Sequence, residues 1–149
     1  MADKKELRVF LSEEAQGAGL TFERPRSGDA GFDLRALESV VLPAGAQMLV
    51  STGIKVAIPD GYVGLVKDRS SMALKQIYTH AGVIDASYRG EVKVVLSNGG
   101  ETSFQIERGD RIAQLVVVPC LTGMTRVASE ADLGETPRGQ SGFGSTGRK

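Results

Sequence analysis

Two aspartates in this 149-residue chain stand where a carboxylate could do chemistry. Asp85 follows the apolar pair Val83-Ile84 in residues 81–90 (AGVIDASYRG), at a hairpin signal. A partly buried carboxylate there could act as a base, although a turn-forming aspartate suits the same pattern. Asp33 lies between Phe32 and Leu34 in residues 29–36 (DAGFDLRA), an alternating pattern that points it away from their side of a sheet. It reads either as a solvated strand aspartate or as a functional acid.

Two further segments could hold an anion. Asp68-Arg69-Ser70-Ser71 precedes a short helix signal at residues 71–76 (SMALKQ). Arg69, two hydroxyls and the amides of a helix start would suit phosphate oxygens, while a serine acting as a simple N-cap explains the same residues. Residues 138–149 (RGQSGFGSTGRK) have too little apolar surface to fold alone and read as a flexible tail in the free chain. Their glycine amides, Ser145, Thr146 and Arg138 could nonetheless donate to a phosphate, and Phe143 offers a face to a base.

Other chemistries lack their residues. His80 is the only histidine and Cys120 the only cysteine, so a histidine metal cluster, a Ser-His-Asp triad and an internal disulfide are all excluded. Neither G-x-x-x-x-G-K-[ST] nor a helix-opening G-x-G-x-x-G occurs. With 18 basic and 18 acidic residues there is no overall pull toward nucleic acid or an anionic membrane, so any anion must be held by a local cluster. The longest apolar run, around residues 112–118, is too short to span a bilayer and is interrupted by Gln114. The N-terminus carries no secretory pattern. A soluble protein of a reducing, cytoplasmic compartment is expected.

The elements that must position these residues are mostly strands. Short β-branched or apolar runs recur at residues 7–10, 48–50, 63–66, 92–96 and 112–118. Turn signals such as Pro43-Ala44-Gly45, Pro59-Asp60-Gly61, Asn98-Gly99-Gly100 and Arg108-Gly109-Asp110 separate them. Nineteen glycines, nearly twice the usual share of about 7%, fit many tight turns. One domain of sandwich, barrel or jelly-roll type follows, with one or two short helical turns at residues 71–76 and 129–133.

Taken in order, DAGFDLRA, DRSSMA (68–73), GVIDASYRG (82–90), RGDRIAQL (108–115) and RGQSGFGSTG (138–147) resemble the five motifs of the trimeric dUTPase family over nearly the whole chain. The resemblance implies an all-β, distorted jelly-roll β-barrel with one short helix, spanning residues 1–137, and a flexible C-terminal arm, residues 138–149, that closes over the active site. It implies a homotrimer with shared active sites. The activity would be Mg²⁺-dependent hydrolysis of dUTP to dUMP and diphosphate, lowering dUTP and supplying dUMP for thymidylate synthesis, with no nucleic-acid or membrane partner.

Carried over by motif, Asp85 would be the general base that activates a water against the α-phosphorus. Arg69, the second catalytic group, would bind phosphates with Ser70 and Ser71. Tyr88 would pack under the deoxyribose, and the backbone of Val83 and Ile84 would read the uracil edge. Lys93 and Gln114 would add nucleotide contacts, and Asp33 would reach Mg²⁺ through water. Phe143 would stack on uracil, with Arg138, Gly144, Ser145 and Thr146 over the phosphates. Thr79 stands where many bacterial relatives have an asparagine that contacts uracil. Departures from the pattern include Asp68 in place of a common proline, Ser87 in place of an acid, and Ser71-Met72 in place of Gly-Leu. The related dCTP deaminases share the arginine-serine-serine motif but place a glutamate late in the strand that here reads EVKVVLSN, where Glu91 comes first. A non-catalytic nucleotide-binding module is the remaining alternative.

Overall fold

The computed structural model describes residues 5–142. Phe143, Gly144, Ser145 and Thr146 therefore lie outside the described residues. Eleven strands account for most of the regular structure: β1 (Arg8–Leu11), β2 (Gly31–Arg35), β3 (Val40–Leu42), β4 (Gln47–Val50), β5 (Ile54–Ala57), β6 (Tyr62–Lys67), β7 (Ile77–His80), β8 (Val83–Ile84), β9 (Val94–Asn98), β10 (Phe104–Ile106) and β11 (Arg111–Pro119). They form sheets ordered β2-β11-β6-β8 and β4-β9-β7, with the two-stranded pairs β1-β5 and β10-β3, and every pairing is antiparallel. The architecture is all-β and jelly-roll-like.

The strands form where the side chains alternate. β9 buries Val94, Leu96 and Asn98 while Val95 and Ser97 stay half-exposed, the period-2 pattern of a strand with one face on the core. β11 is the spine of the larger sheet, paired on one side with β2 and on the other with β6. Leu34, Leu42, Ile77, Leu96, Ile106, Ile112 and Leu115 are among the largest fully buried side chains, and they join one continuous core. A buried Asn98 closes that core at one end, donating to the carbonyls of Leu42 and Thr102 and accepting from Gly100 N–H.

Helical structure is slightly richer than expected. The turn anticipated at residues 71–76 is α2 (Ser70–Ala73), which stops early because Gln76 adopts a left-handed φ of 61°. The one at 129–133 is a 3₁₀ turn, Glu130–Leu133, closed by a capping box between Ser129 and Asp132. A third helix, α1 (Glu13–Gly17), was not anticipated. Its signal is present in the sequence: Ser12 caps it by accepting from Ala15 N–H, and Glu13 and Glu14 occupy its first turn. Its five residues are too few to show a periodic apolar stripe.

Beyond β11 the chain leaves the packed body, and residues 121–141 are exposed throughout. Among the described residues no helix is long and apolar enough to cross a membrane.

Candidate active site

The strand β8 carries Val83 and Ile84 to the edge of the larger sheet, where they pair with Leu65 and Gly64 of β6. Gly64 is needed there, since a Cβ would lie 2.7 Å from Ile58 Cδ1 and 3.1 Å from Ile84 Cβ. The approach to β8 is bent by left-handed Ala81 and Gly82, and Val66 N–H donates to the Gly82 carbonyl at 2.8 Å. After β8 the chain turns, with Tyr88 N–H donating to the Asp85 carbonyl. Tyr88 Oη then donates to the Glu91 carbonyl at 2.9 Å, and a Cβ at Gly90 would overlap its ring. The result is a groove lined by Leu49, Val83, Ile84, Asp85, Tyr88, Glu91 and Lys93.

Five residues expected to serve the site thus meet in one place. Asp85 departs from expectation in one respect: it is exposed rather than partly buried. The groove is open on its outer side, with Val83 64% and Tyr88 43% exposed. Leu49, from β4, is a lining residue that motif spacing did not point to.

The second group is built on β2, β6 and β11. Asp33 is only 5% exposed, with Arg69 Nε 3.5 Å from one carboxylate oxygen and Arg111 Nη1 3.4 Å from the other. Arg69 Nη1 also donates to the Arg111 carbonyl at 3.1 Å. Alternation does place Asp33 opposite buried Leu34, and of its two readings the solvated strand aspartate does not hold, because these two guanidiniums cover its face. Gln114, level with Asp33 and Lys67 in the ladder, donates from Nε2 to the Asp68 carbonyl at 2.9 Å. A Cβ at Gly31 would overlap that side chain. Ser70 and Ser71 are exposed at the start of α2, and a groove beside them is lined by Arg69, Ser71, Met72, Lys75, Phe104, Ile106, Asp110, Arg111 and Ile112.

The single chain keeps these groups apart: Asp85, Tyr88 and Lys93 line one groove, Arg69 and Ser71 another. Thr79 lines neither, and its hydroxyl donates to Asp68 Oδ1 at 2.7 Å. Arg138 also lines neither and donates from Nε to the Ser141 carbonyl. Arg111 and Lys75 are not marked out by the sequence because their surroundings come from distant segments: Arg111 meets Asp33 of the neighbouring strand, and Lys75, just beyond α2, lies over the Phe104 ring. His80 is paired through Nε2 with Ser97 Oγ.

Mg²⁺ was expected at Asp33 through water. Among the described residues no cluster of three or more His, Cys, Asp or Glu could hold a metal ion. The long pairings at Asp33 leave its oxygens spare lone pairs for a metal-bound water, a fit for an ion carried by a triphosphate with most of its own waters.

Comparison with known proteins gives consistent matches. The dUTPase family model matches residues 19–147. The deoxyuridine 5'-triphosphate nucleotidohydrolase of Debaryomyces hansenii is 46% identical over 97% of this chain and 89% of its own length. That of Candida albicans is 51% identical over 80% of this chain and 76% of its own. The Staphylococcus bacteriophage 80alpha dUTPase with dUPNHPP superposes with a TM-score of 0.86 at 33% identity, covering 95% of this chain and 98% of that one. A mutant dUTPase from phage phi11 of S. aureus, described as revealing the coordination of a structural Mg(II) ion, superposes at 0.74 with 30% identity over 85% of this chain and 99% of its own. With nearly the whole length matched by sequence and by shape, the chain belongs to the dUTPase family.

Proposed function

We propose that this dUTPase cleaves dUTP to dUMP and pyrophosphate by attack of a water on the α-phosphorus, with Asp85 as general base. Asp85 takes a proton from the water as its oxygen bonds to the α-phosphorus. The bond from that phosphorus to the bridging oxygen breaks, and pyrophosphate leaves with the electron pair. Tyr88 packs under the deoxyribose and leaves no room for a 2′-hydroxyl, while Val83 and Ile84 read the uracil edge with their backbone. Arg69, Ser70, Ser71 and Gln114 hold phosphates, Lys93 adds a nucleotide contact, and Asp33 orients Arg69 and reaches the water shell of Mg²⁺. Bound Mg²⁺ neutralises phosphate charge and orders the oxygens of the chain.

The observation that carries this reading is the grouping of Asp85, Tyr88, Lys93, Val83 and Ile84 around one open groove. The phosphate-binding residues of the same chain line a different groove, which supports a homotrimer whose active sites take the two groups from different copies. Residues 1–137 then act as the domain and residues 138–149 as an arm closing over bound nucleotide, with Phe143 on uracil and Arg138, Gly144, Ser145 and Thr146 over the phosphates. The enzyme acts in the cytoplasm without nucleic-acid or membrane partners, lowering dUTP and supplying dUMP.

The deaminase alternative requires a free acid on the β9 side. Glu91 does not supply one, because its Oε1 accepts from the backbone N–H groups of Thr52 and Gly53 at 3.0 and 2.8 Å. The test is pyrophosphate release with Mg²⁺ from dUTP, UTP, dTTP and dCTP separately, with Asp85→Asn in parallel. Release from dUTP alone, lost in the variant, upholds the proposal. Inert dUTP overturns it in favour of a binding module, and ammonia release from dCTP overturns it in favour of deamination.

A further inference from the structure

Asp68 stands between the two halves of the site. It follows β6 and directly precedes Arg69, Ser70 and Ser71. Its carboxylate Oδ1 accepts from both Thr79 N–H at 2.6 Å and Thr79 Oγ1–H at 2.7 Å, and its carbonyl accepts from Gln114 Nε2. Thr79 belongs to β7 in the smaller sheet, whereas β6 belongs to the larger one. The contact therefore ties the two sheets together across the base of the segment that contains α2. It matters there because α2 is only four residues long, and its N-cap Arg69 spends its side chain on Asp33 and the Arg111 carbonyl rather than on a capping bond. On the other side, Thr79 leads through left-handed Ala81 and Gly82 into β8 and Asp85.

We propose that Asp68 is a positioning residue that sets the phosphate loop at Arg69–Ser71 and the base-reading strand β8 in fixed register by gripping Thr79 from both its backbone and its hydroxyl. The inference rests on the assigned dUTP hydrolysis. It also accounts for Thr79: the residue serves the clamp, and its hydroxyl hydrogen is committed to Asp68 rather than to a pyrimidine. A proline at position 68 could not make this contact, so the clamp is a feature of this chain's own residue pair.

The test measures kcat and KM for dUTP in Asp68→Ala, Asp68→Asn, Thr79→Val and the double variant Asp68→Ala/Thr79→Val, well below each variant's Tm. Asp68→Ala lowers kcat/KM by about 10- to 100-fold, with KM raised and kcat reduced, as expected when reacting groups are misplaced by a fraction of an ångström to an ångström. Asp68→Asn, whose amide oxygen can still accept both bonds, recovers most of that loss. Thr79→Val keeps the N–H bond and shows a smaller effect, and the double variant is no worse than Asp68→Ala. Unchanged kcat and KM in Asp68→Ala, or a purely additive double variant, overturns the proposal. Should the wild-type enzyme be inert toward dUTP, the functional reading fails and the clamp is judged by amide hydrogen exchange. Faster exchange at both Ser70–Ala73 and Val83–Ile84 in folded Asp68→Ala upholds it, and unchanged exchange at either overturns it.

Discussion

The groove around Asp85 and the cluster around Asp33 both use charged side chains, yet they are built on opposite terms. Asp33 sits at 5% exposure between two guanidiniums, Arg111 on the neighbouring β11 and Arg69 at the N-cap of α2, and ladder register fixes β2 against β11. Asp85 is exposed on a turn, and the ordering comes from backbone bonds and from Tyr88 reaching the Glu91 carbonyl. The cluster is organised before any ligand arrives, whereas the groove is complete on only one side. A group that binds a fixed charge gains from pre-organisation. A group that must admit a base, a sugar and a water needs an open approach that is closed later.

That contrast predicts different failures. Asp85→Asn should reduce pyrophosphate release by about 10³-fold, the scale of a lost general base, with a non-hydrolysable dUTP analogue still binding in calorimetry. Turnover near the wild-type rate would remove Asp85 from the chemistry. Deleting residues 138–149 should lower turnover by about 10²-fold while leaving the thermal midpoint within a few degrees, since residues 121–141 are exposed and add nothing to the core. A large loss of stability would show that the arm is part of the packed body. Arg69→Ala should cost both functions, weakening nucleotide binding and removing about 2 kcal/mol of stability, because it leaves buried Asp33 with Arg111 alone. Denaturant unfolding reads the second effect, and an unchanged midpoint would show Asp33 to be better solvated than its burial suggests. The smallest effect belongs to Tyr88→Phe, which loses one exposed bond to the Glu91 carbonyl, about 0.5 kcal/mol, and keeps the ring proposed to discriminate against UTP. Loss of dUTP over UTP selectivity in that variant would place discrimination in the hydroxyl instead.

Much of this was legible in the residues themselves. Alternating apolar runs and glycine-rich turns led to the strand-rich fold, because a two-residue period and a positive φ are local properties. β9 and β11 lie within two residues of the runs that announced them. The five motifs pointed to Asp85, Arg69 and Gln114 because residue type and order along the chain are properties of the sequence itself. Helix α1 was overlooked although its cap was in view, since five residues hold too few apolar positions to show a period.

The sequence by itself determined which residues are present for the chemistry, that the chain is built of strands, and that phosphate must be held without a Walker loop. Only the tertiary structure decided their surroundings: that Asp33 is buried between Arg69 and Arg111, that Asp85 is open, that Asp68 grips Thr79, and that the two halves of the site line separate grooves. The physical reason is that alternation assigns a side chain to a face, while what covers that face comes from strands distant in sequence, brought alongside by register.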